Sequence, residues 1–323
     1  MKRLLMIILA TILICGITSA QDVTFMFEPG QLSDASLREK VEGRISSLLS
    51  EMTQASKANR PLKLDSLYLS PRANKRLSNL WKNLHFSCED TQIVERCLRD
   101  VKGYQVRNIF VTLQPTTNGY TGSISRELAI FFDSQGFVTG VNMALEDSIY
   151  HDIMNRAITV TDSLQRLEII KSIEEFCNYY EEKDLEALKV IYSDKHLSFG
   201  DDILEYAKRD TINIKTSICK AEKEQYIRCI EKIFKDNEYV NMNFDKVIVY
   251  RANHKADFYG VTLHQEWNSD YSSNNGYMFL LWQFMENDDE RACVQVRTWQ
   301  PEVVNGHRLS PDEIYTVNDF FIP

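Results

Sequence analysis

The sequence YMFLLWQFM at residues 277–285 predicts a β-strand that is apolar on both of its faces. Successive side chains of a strand point to opposite faces, so both faces need cover from other parts of the protein. Helices of the same domain can cover one face only. We therefore expect the second face to contact the other domain or a second subunit, with a layer formed by the C-terminal tail as the alternative. The two faces carry Tyr277, Phe279 and Leu281, and Met278, Leu280, Trp282 and Phe284.

Similar strands surround this one, and amphipathic helices precede them. Residues 244–251, 258–267 and 292–299 are rich in β-branched and aromatic residues, which is typical of strands. Asp162 and Gln165 predict the start of a helix whose apolar residues recur at three- and four-residue spacing. Helices followed by antiparallel strands predict an α+β fold with the helices on one face of the sheet. The predicted helix face holds Leu164, Leu167, Ile170, Ile173, Phe176 and Tyr180.

The first half of the chain repeats this order of elements. Residues 64–70 (LDSLYLS) and 188–194 (LKVIYSD) share a Leu-x-x-apolar-Tyr pattern. In the first half, Ser36 and Glu39 predict a capping box, and strands are predicted after residue 105. The repeat predicts two domains of similar construction.

The second copy resembles a known family. Residues 176–185 (FCNYYEEKDL) and 188–194 are similar to the helix, acidic turn and first pocket element of the nuclear transport factor 2 (NTF2) cone, which ketosteroid isomerase shares. Residues 257–263, 276–282 and 296–301 resemble a group of uncharacterised exported proteins of Gram-negative bacteria, which implies no known activity. The resemblance implies two NTF2-like, cone-shaped α+β domains in tandem, each with N-terminal helices packed on a curved antiparallel sheet.

We expect five segments along the chain. The linker is placed where the strands of the first copy end and the long helix of the second copy begins. The tail is predicted to be a packed edge strand because it ends in an apolar run. The segments are a signal peptide at 1–20, a divergent first domain at 21–146, a linker at 147–162, an NTF2-like second domain at 163–300 and the tail at 301–323.

Charge argues against nucleic acid as a partner. The chain has 37 Lys and Arg against 46 Asp and Glu, a net charge of −9, and no local basic patch. Such a surface repels phosphate backbones.

The N-terminus predicts export. Lys2 and Arg3 precede an apolar run that ends in small residues at 18–20, which is typical of a secretory signal peptide. The run is shorter than the about 20 apolar residues that a membrane-spanning helix needs, and no transmembrane segment is predicted elsewhere. We expect a periplasmic or extracellular protein that begins at Gln21. A lipid anchor on Cys15 is the weaker alternative, because Ile14 is bulky.

The cysteines leave two readings open. After the signal peptide the count is six, and an even number in an oxidising compartment permits disulfides. Cys88 with Cys97, and Cys219 with Cys229, are the close pairs. The alternative is that all six are buried apolar thiols. Zinc is not predicted, because no Cys-x-x-Cys spacing and no nearby histidine pair occur.

The resemblance also implies a place for a small molecule, between the helices and the sheet. Ketosteroid-isomerase-like enzymes use a carboxylate base there, and Asp194 and His196 are the candidates. Neither aligns with a catalytic position, and Asp194 is a turn-forming residue in the simpler interpretation. No phosphate-binding loop, hydrolase elbow or metal motif is present, and no cofactor or metal is predicted.

Aromatic residues are the stronger signal, and they favour binding over catalysis. We therefore expect an exported, non-catalytic binding module of the bacterial envelope, with a small apolar ligand or an unknown envelope protein as partner. A homodimer through a sheet face is a further expectation, and a small-molecule isomerase or dehydratase is the alternative function. The contact residues predicted for the ligand or partner are Tyr180, Tyr192, His264, Trp267, Trp282 and Trp299.

Overall fold

Two α+β units with separate sheets make up the protein, which confirms the predicted fold class. The structure is a computed structural model that describes residues 22–116, 124–199, 220–252, 257–284 and 292–319. Within residues 194–199 and 220–222 the backbone alone is described. The predicted signal peptide at 1–20 lies outside the described residues.

In the first unit, two helices pack on a five-stranded antiparallel sheet of order β2-β5-β6-β7, with β4 also paired to β5. The first helix begins after Asp34, whose carboxylate accepts a hydrogen bond from the backbone N of Leu37 at 3.0 Å. A separate pair of parallel strands, β1 and β3, lies beside this helix. The elements are β1 (Thr24–Phe27), α1 (Ala35–Lys57), α2 (Pro71–Asn83), β2 (Leu84–Cys88), β3 (Gln92–Glu95), β4 (Leu98–Asp100), β5 (Gly103–Pro115), β6 (Ser125–Phe132) and β7 (Val138–Met143).

The second unit has longer strands, in a six-stranded sheet of order β10-β11-β12-β13-β8-β9. All neighbours are antiparallel except β13 and β8. A helix capped by Thr159 and a second helix near the strand edge enclose one apolar core with the inner face of the sheet. The elements are α3 (Asp147–Asn155), α4 (Val160–Glu181), α5 (Leu185–Ile191), β8 (Tyr192–Phe199), β9 (Lys220–Glu222), α6 (Lys223–Asp236), β10 (Val240–Arg251), β11 (Phe258–Ser269), β12 (Ser273–Gln283) and β13 (Cys293–Pro301).

Helix α4 is buried on two sides because it contacts both units. Its apolar side, with Ile173 and Phe176, belongs to the core of the second unit. Its polar side meets the sheet of the first unit, where the buried carboxylate of Glu174 pairs with Arg107 of β5 and Asn178 donates to Asn142 of β7 at 3.1 Å. Charged and amide groups buried in this way hold the two units against each other.

The segment predicted as a linker at 147–162 contains structure. Helix α3 occupies most of it and buries Tyr150 and Ile153 in the second core. The Arg107 guanidinium lies over the Tyr150 ring at 4.5 Å, so this segment also contacts the first unit. Because polar residues surround these two apolar positions, the sequence pattern did not predict a helix here.

The tail predicted as an edge strand follows a different course in its described part. After β13 it forms a two-residue hairpin, β14 (Val303–Val304) with β15 (His307–Arg308), and then crosses the outer face of the second sheet. Thr262 donates to the carbonyl of Tyr315 at 3.0 Å, and Val317 lies directly over Gly260. The apolar run at 320–322 is outside the described residues.

This course also corrects the expectation for the outer face of residues 277–285. Phe279 and Leu281 of β12 are buried beneath Tyr315 and Val317 of the same chain, not by the first unit. The tail layer, which was the alternative, provides the cover. The sheet face on which a homodimer was predicted is therefore occupied at these positions by the chain itself.

The predicted pairing of Cys88 with Cys97 is absent, because both residues are free thiols. Burial raises the pKa of each thiol to about 11, so both remain protonated at neutral pH. Cys229 is also a free thiol, and its predicted partner Cys219 lies outside the described residues. The alternative of buried thiols holds for Cys177, whereas Cys88, Cys97 and Cys229 are only partly buried.

Candidate functional site

A cavity of about 70 Å³ opens between helix α6, the end of α4 and the inner face of strands β11 to β13. Its open end lies at the β11–β12 turn, where Asn274 is exposed and Ser272 is partly exposed. The residues that line it are Tyr180, Ile230, Ile233, Asn237, Gln265, Trp267, Ser269, Ser272, Asn274, Arg297 and Trp299.

Two tryptophans form the walls. Trp267 of β11 meets the Tyr180 ring edge-on, with ring centroids 5.6 Å apart. Trp299 of β13 lies across the neighbouring strand at Gly276, where an added Cβ would come within 2.7 Å of the indole ring. Glycine is therefore required at this position of β12, because an added Cβ would also come within 2.3 Å of the Gln300 carbonyl oxygen.

Three polar side chains reach the cavity from buried positions. Arg297, Gln265 and Asn237 are each only about 4% exposed. The Gln265 Oε1 and Asn237 Oδ1 oxygens have no hydrogen-bond partner among the described residues. The Arg297 guanidinium lies 5.3 Å from the centroid of the Tyr226 ring. Buried amides without partners are rare, because each lost hydrogen bond costs free energy.

Behind the cavity, three phenols form a hydrogen-bonded cluster. The hydroxyl oxygens of Tyr180 and Tyr226 are 2.5 Å apart, and Tyr192 donates to Tyr226 at 3.2 Å. Burial raises the pKa of Tyr180 and of Tyr192 well above the usual value for a phenol. Tyr180 and Tyr192 are therefore neutral hydrogen-bonding groups at physiological pH.

Three of the residues predicted for contact with a ligand or partner lie together here: Tyr180, Trp267 and Trp299. Tyr192 does not line the cavity, and it is linked to Tyr180 through the hydrogen bonds of the phenol cluster. Trp282 is buried in the core and is not part of the cavity lining.

His264 is on the opposite face of the sheet from the cavity. Neighbouring residues of β11 alternate between the faces, so Gln265 and Trp267 point inward while His264 points outward. Its Nδ1 is 2.6 Å from Asp245 Oδ1, and its Nε2 is 3.8 Å from Glu302 of the tail. The histidine thus belongs to the region under the tail.

The candidates for catalysis, Asp194 and His196, lie on strand β8. They were expected in a turn, and the structure extends the strand through both. Their side chains are outside the described part of the structure.

The sequence interpretation missed Arg297, Gln265 and Asn237. A signal was available for Arg297 and Gln265. Each lies two residues before a tryptophan, Trp299 or Trp267, on the inward face of a strand whose other inward positions are apolar. A polar residue among inward positions points to a cavity or a buried network. Asn237 follows the last residue of α6, and only the packed structure brings it to the cavity.

Metal and membrane signals are absent where the chain is described. No three His, Cys, Asp or Glu side chains in the described ranges come together in a way that would hold a metal ion. The helices in those ranges lack the combination of length and apolar character that a membrane crossing requires.

Comparison with known proteins gives no match to a family model and no match among curated proteins. Several solved structures are similar to about half of this chain. A scytalone dehydratase-like protein from Novosphingobium aromaticivorans is 9% identical, with 47% of this chain and 94% of that chain covered and a TM-score of 0.35. An NTF2-like protein of unknown function from Pseudomonas putida is 13% identical, with 45% and 92% covered and a TM-score of 0.33.

A protein of unknown function with a cystatin-like fold from Nostoc punctiforme is 10% identical, with 45% and 93% covered and a TM-score of 0.32. NTF2-like proteins are thus among the structures similar to this chain, as the resemblance of the sequence predicted. The assignment of two α+β units rests on the strand order and helix packing given above, and those observations make this chain a tandem of helix-on-sheet units.

Proposed function

We propose that this chain is an exported binding protein of the bacterial envelope and that the cavity of its second unit holds a small ligand. The cavity itself carries the proposal. This space is lined by two tryptophans and by the buried polar side chains of Arg297, Gln265 and Asn237. An apolar enclosure with a few inward polar groups is the usual form of a small-molecule site.

A small molecule fits the aromatic residues better than a protein partner does. Trp299, Tyr180 and Trp282 are almost fully buried, so they offer no surface to another protein. Aromatic residues that anchor protein interfaces lie at the surface before binding. Trp267, which is partly exposed, stands at the open side of the cavity where a ligand would enter.

Binding is also better supported than isomerase or dehydratase chemistry. Such chemistry needs a proton acceptor within hydrogen-bonding distance of the substrate. None of the described residues that line the cavity is a carboxylate or a histidine. The described lining instead supplies one cation, amides and neutral hydroxyls, which suit recognition of a ligand.

Export is the second part of the proposal, and its support comes from residues 1–20 of the sequence. N-terminal sequencing of the protein isolated from its own cells tests it. We expect a mature chain that begins at Gln21 in the envelope or secreted fraction. A chain that retains residues 1–20 in the cytoplasmic fraction would contradict export.

Fluorine NMR of the chain labelled with 5-fluorotryptophan tests ligand binding, because each of the four tryptophans reports on a different place. Trp267 and Trp299 line the cavity, whereas Trp81 is in the first core and Trp282 is in the second. Single Trp→Phe variants assign the resonances. Titration with a library of small fragments is expected to shift the two cavity resonances and leave the other two unchanged. A library that shifts none of the four, or shifts all four equally, would refute the proposed site.

A further inference from the structure

We infer that the ligand of this cavity is a neutral saccharide, with one edge of its terminal sugar between Trp267 and Trp299 and the next sugar over Tyr271 at the cavity mouth. The inference rests on the proposed function and adds the chemical class of the ligand. The turn between β11 and β12 carries it, because the sequence WNSDYSSNNG at 267–276 combines two aromatic residues with serines and asparagines.

This turn places an exposed aromatic ring beside the open end of the cavity. Ser269 and Ser272 line the cavity, and Tyr271 between them is 74% exposed. The turn is closed by a hydrogen bond from the backbone N of Ser269 to the carbonyl of Ser272 at 2.8 Å. Trp267, which is partly exposed, adds a second ring at the mouth. Tyrosine and tryptophan offer a large, rigid contact area and lose little conformational entropy when a ligand binds.

Most polar groups of the site are uncharged amides and hydroxyls, which suit a ligand with several hydroxyl groups. Gln265 and Asn237 are buried, and their Oε1 and Oδ1 oxygens have no hydrogen-bond partner among the described residues. Ser272 and Asn274 lie at the mouth. A sugar hydroxyl donates one hydrogen bond and accepts up to two, so it can pair with amide oxygens, amide N–H groups and serine hydroxyls alike.

The faces of a sugar ring match the aromatic residues. A pyranose carries its hydroxyls mainly around the ring edge, and its C–H groups form apolar patches on the two faces. The face of an aromatic ring has partial negative charge, which attracts C–H groups while the apolar surfaces leave water. A saccharide can therefore contact Trp267 and Tyr271 with its ring faces while its edge reaches the amides.

The charges around the cavity favour a neutral ligand. Arg297 is already engaged within the chain, with its guanidinium 5.3 Å from the centroid of the Tyr226 ring, so it needs no anion from a ligand. On the turn, the carboxylate of Asp270 accepts from the backbone N of Tyr239 at 3.3 Å, and the exposed Glu238 is the next residue; both carboxylates repel an entering anion. A cation finds no carboxylate among the described lining residues and is repelled by Arg297.

The volume limits how much of the saccharide is enclosed. About 70 Å³ is less than half of the roughly 150 Å³ of an apolar cavity that accepts benzene, so a whole six-membered ring does not fit inside. One edge of the terminal sugar, such as its hydroxymethyl arm, therefore enters between Trp267 and Trp299, and the rest of the ring lies in the mouth. A second sugar linked to the first lies outside the cavity, beside Tyr271.

Fluorine NMR titration of the labelled chain from Gln21 onward tests the inference. The probes are the methyl pyranosides of glucose, galactose, mannose and N-acetylglucosamine, with tetrahydropyran as the ring that lacks hydroxyls. We expect at least one pyranoside to shift the resonances of Trp267 and Trp299 and to bind several-fold more tightly than tetrahydropyran. The 6-carboxylate and the 6-amino-6-deoxy analogue of that pyranoside keep its skeleton and add a charge, and both are expected to bind several-fold more weakly.

Variants of Tyr271 give a second, independent readout. A disaccharide of the sugar that binds is expected to bind several-fold more tightly than its methyl pyranoside. Tyr271→Ala is expected to remove this gain, whereas Tyr271→Phe keeps the ring and the gain. Tyr250→Ala is the matched control, because Tyr250 is 44% exposed and pairs with Gly260, at the end of β11 remote from Trp267. Unchanged resonances of Trp81 and Trp282 verify that each variant is folded.

The outcomes separate this inference from the proposed function. Failure of all four pyranosides, equal binding of tetrahydropyran, or tighter binding of either charged analogue would overturn the saccharide assignment. A disaccharide gain that is absent, or that survives Tyr271→Ala, would overturn the position of the second sugar. In each case the proposed function stands if other fragments still shift the resonances of Trp267 and Trp299, and it falls with the inference if none does.

Discussion

Substitution of Glu174 by glutamine should strongly destabilise the protein, because it breaks the ion pair buried between the two units. Glu174 lies on α4 and Arg107 on β5, and their side chains are at most 1% exposed. Arg107 Nη2 also donates to the carbonyl of Leu145 at 3.0 Å, and the Glu174 carboxylate accepts from the backbone N of Leu145 at 3.0 Å. The variant keeps the size of the side chain and removes only its charge.

The expected magnitude follows from what remains after the substitution. The guanidinium of Arg107 stays buried and keeps its hydrogen bond to Gln105 Oε1 at 3.2 Å, with Glu127 as a more distant carboxyl. Loss of one partner of a buried pair typically costs about 3–5 kcal/mol, since the other charge is left uncompensated. Urea denaturation followed by circular dichroism would measure this as a large fall in the unfolding midpoint.

Two further variants make the result specific. Glu186→Gln removes an exposed ion pair with Lys189, and it should change the free energy of unfolding by about 0.5 kcal/mol or less. Arg107→Met combined with Glu174→Leu removes both charges and should recover most of the lost stability. A loss below about 1 kcal/mol for Glu174→Gln, or no recovery in the double variant, would refute the reasoning.

Three other perturbations have expected outcomes. Gly276→Ala places a methyl group against the Gln300 carbonyl oxygen and the Trp299 indole, so we expect a loss of about 1–3 kcal/mol and a shifted Trp299 fluorine resonance; an unchanged resonance would contradict the close approach. Burial raises the pKa of Glu182 from 4.5 to about 7, so the folded state binds the extra proton and stability should fall as pH rises through this range. Burial also raises the pKa of Glu127 and of Glu181 to about 7, so Glu182→Gln should make the fall shallower without removing it, and a profile that stays equally steep would exclude a contribution from Glu182. Removal of the chain after Pro301 should expose Phe279 and Leu281 and cause concentration-dependent self-association in sedimentation velocity; a monomer at all concentrations would contradict the role of the tail as cover.

The sequence was sufficient for elements that local patterns determine. Ile170, Ile173, Phe176 and Tyr180 recur at helical spacing, and all are buried on α4. Leu164 was assigned to the same face but is 44% exposed, because the positions buried at this end of the helix are those of the Asp162–Arg166 ion pair. A periodic pattern predicts a face and leaves open how far the cover extends along it.

Features that depend on distant parts of the chain could not be predicted. Asn275 and Gly276 have the composition of a hairpin turn, yet both lie within β12 and pair with β11, and the closeness of Trp299 to the glycine is visible only in the packed structure. The cover of the outer sheet face by Tyr315 and Val317 likewise depends on how the tail folds back. Arg297 was visible in the sequence as a polar residue at an inward strand position, but only the packed structure brings Asn237 to the same cavity.

The most direct test of the central claim is a crystal structure of the chain from Gln21 onward, soaked with the small fragments that shift the fluorine resonances of Trp267 and Trp299. We predict electron density for a bound fragment between these two tryptophans. A cavity closed by the protein's own side chains, or fragments bound only at other places, would contradict the proposed site.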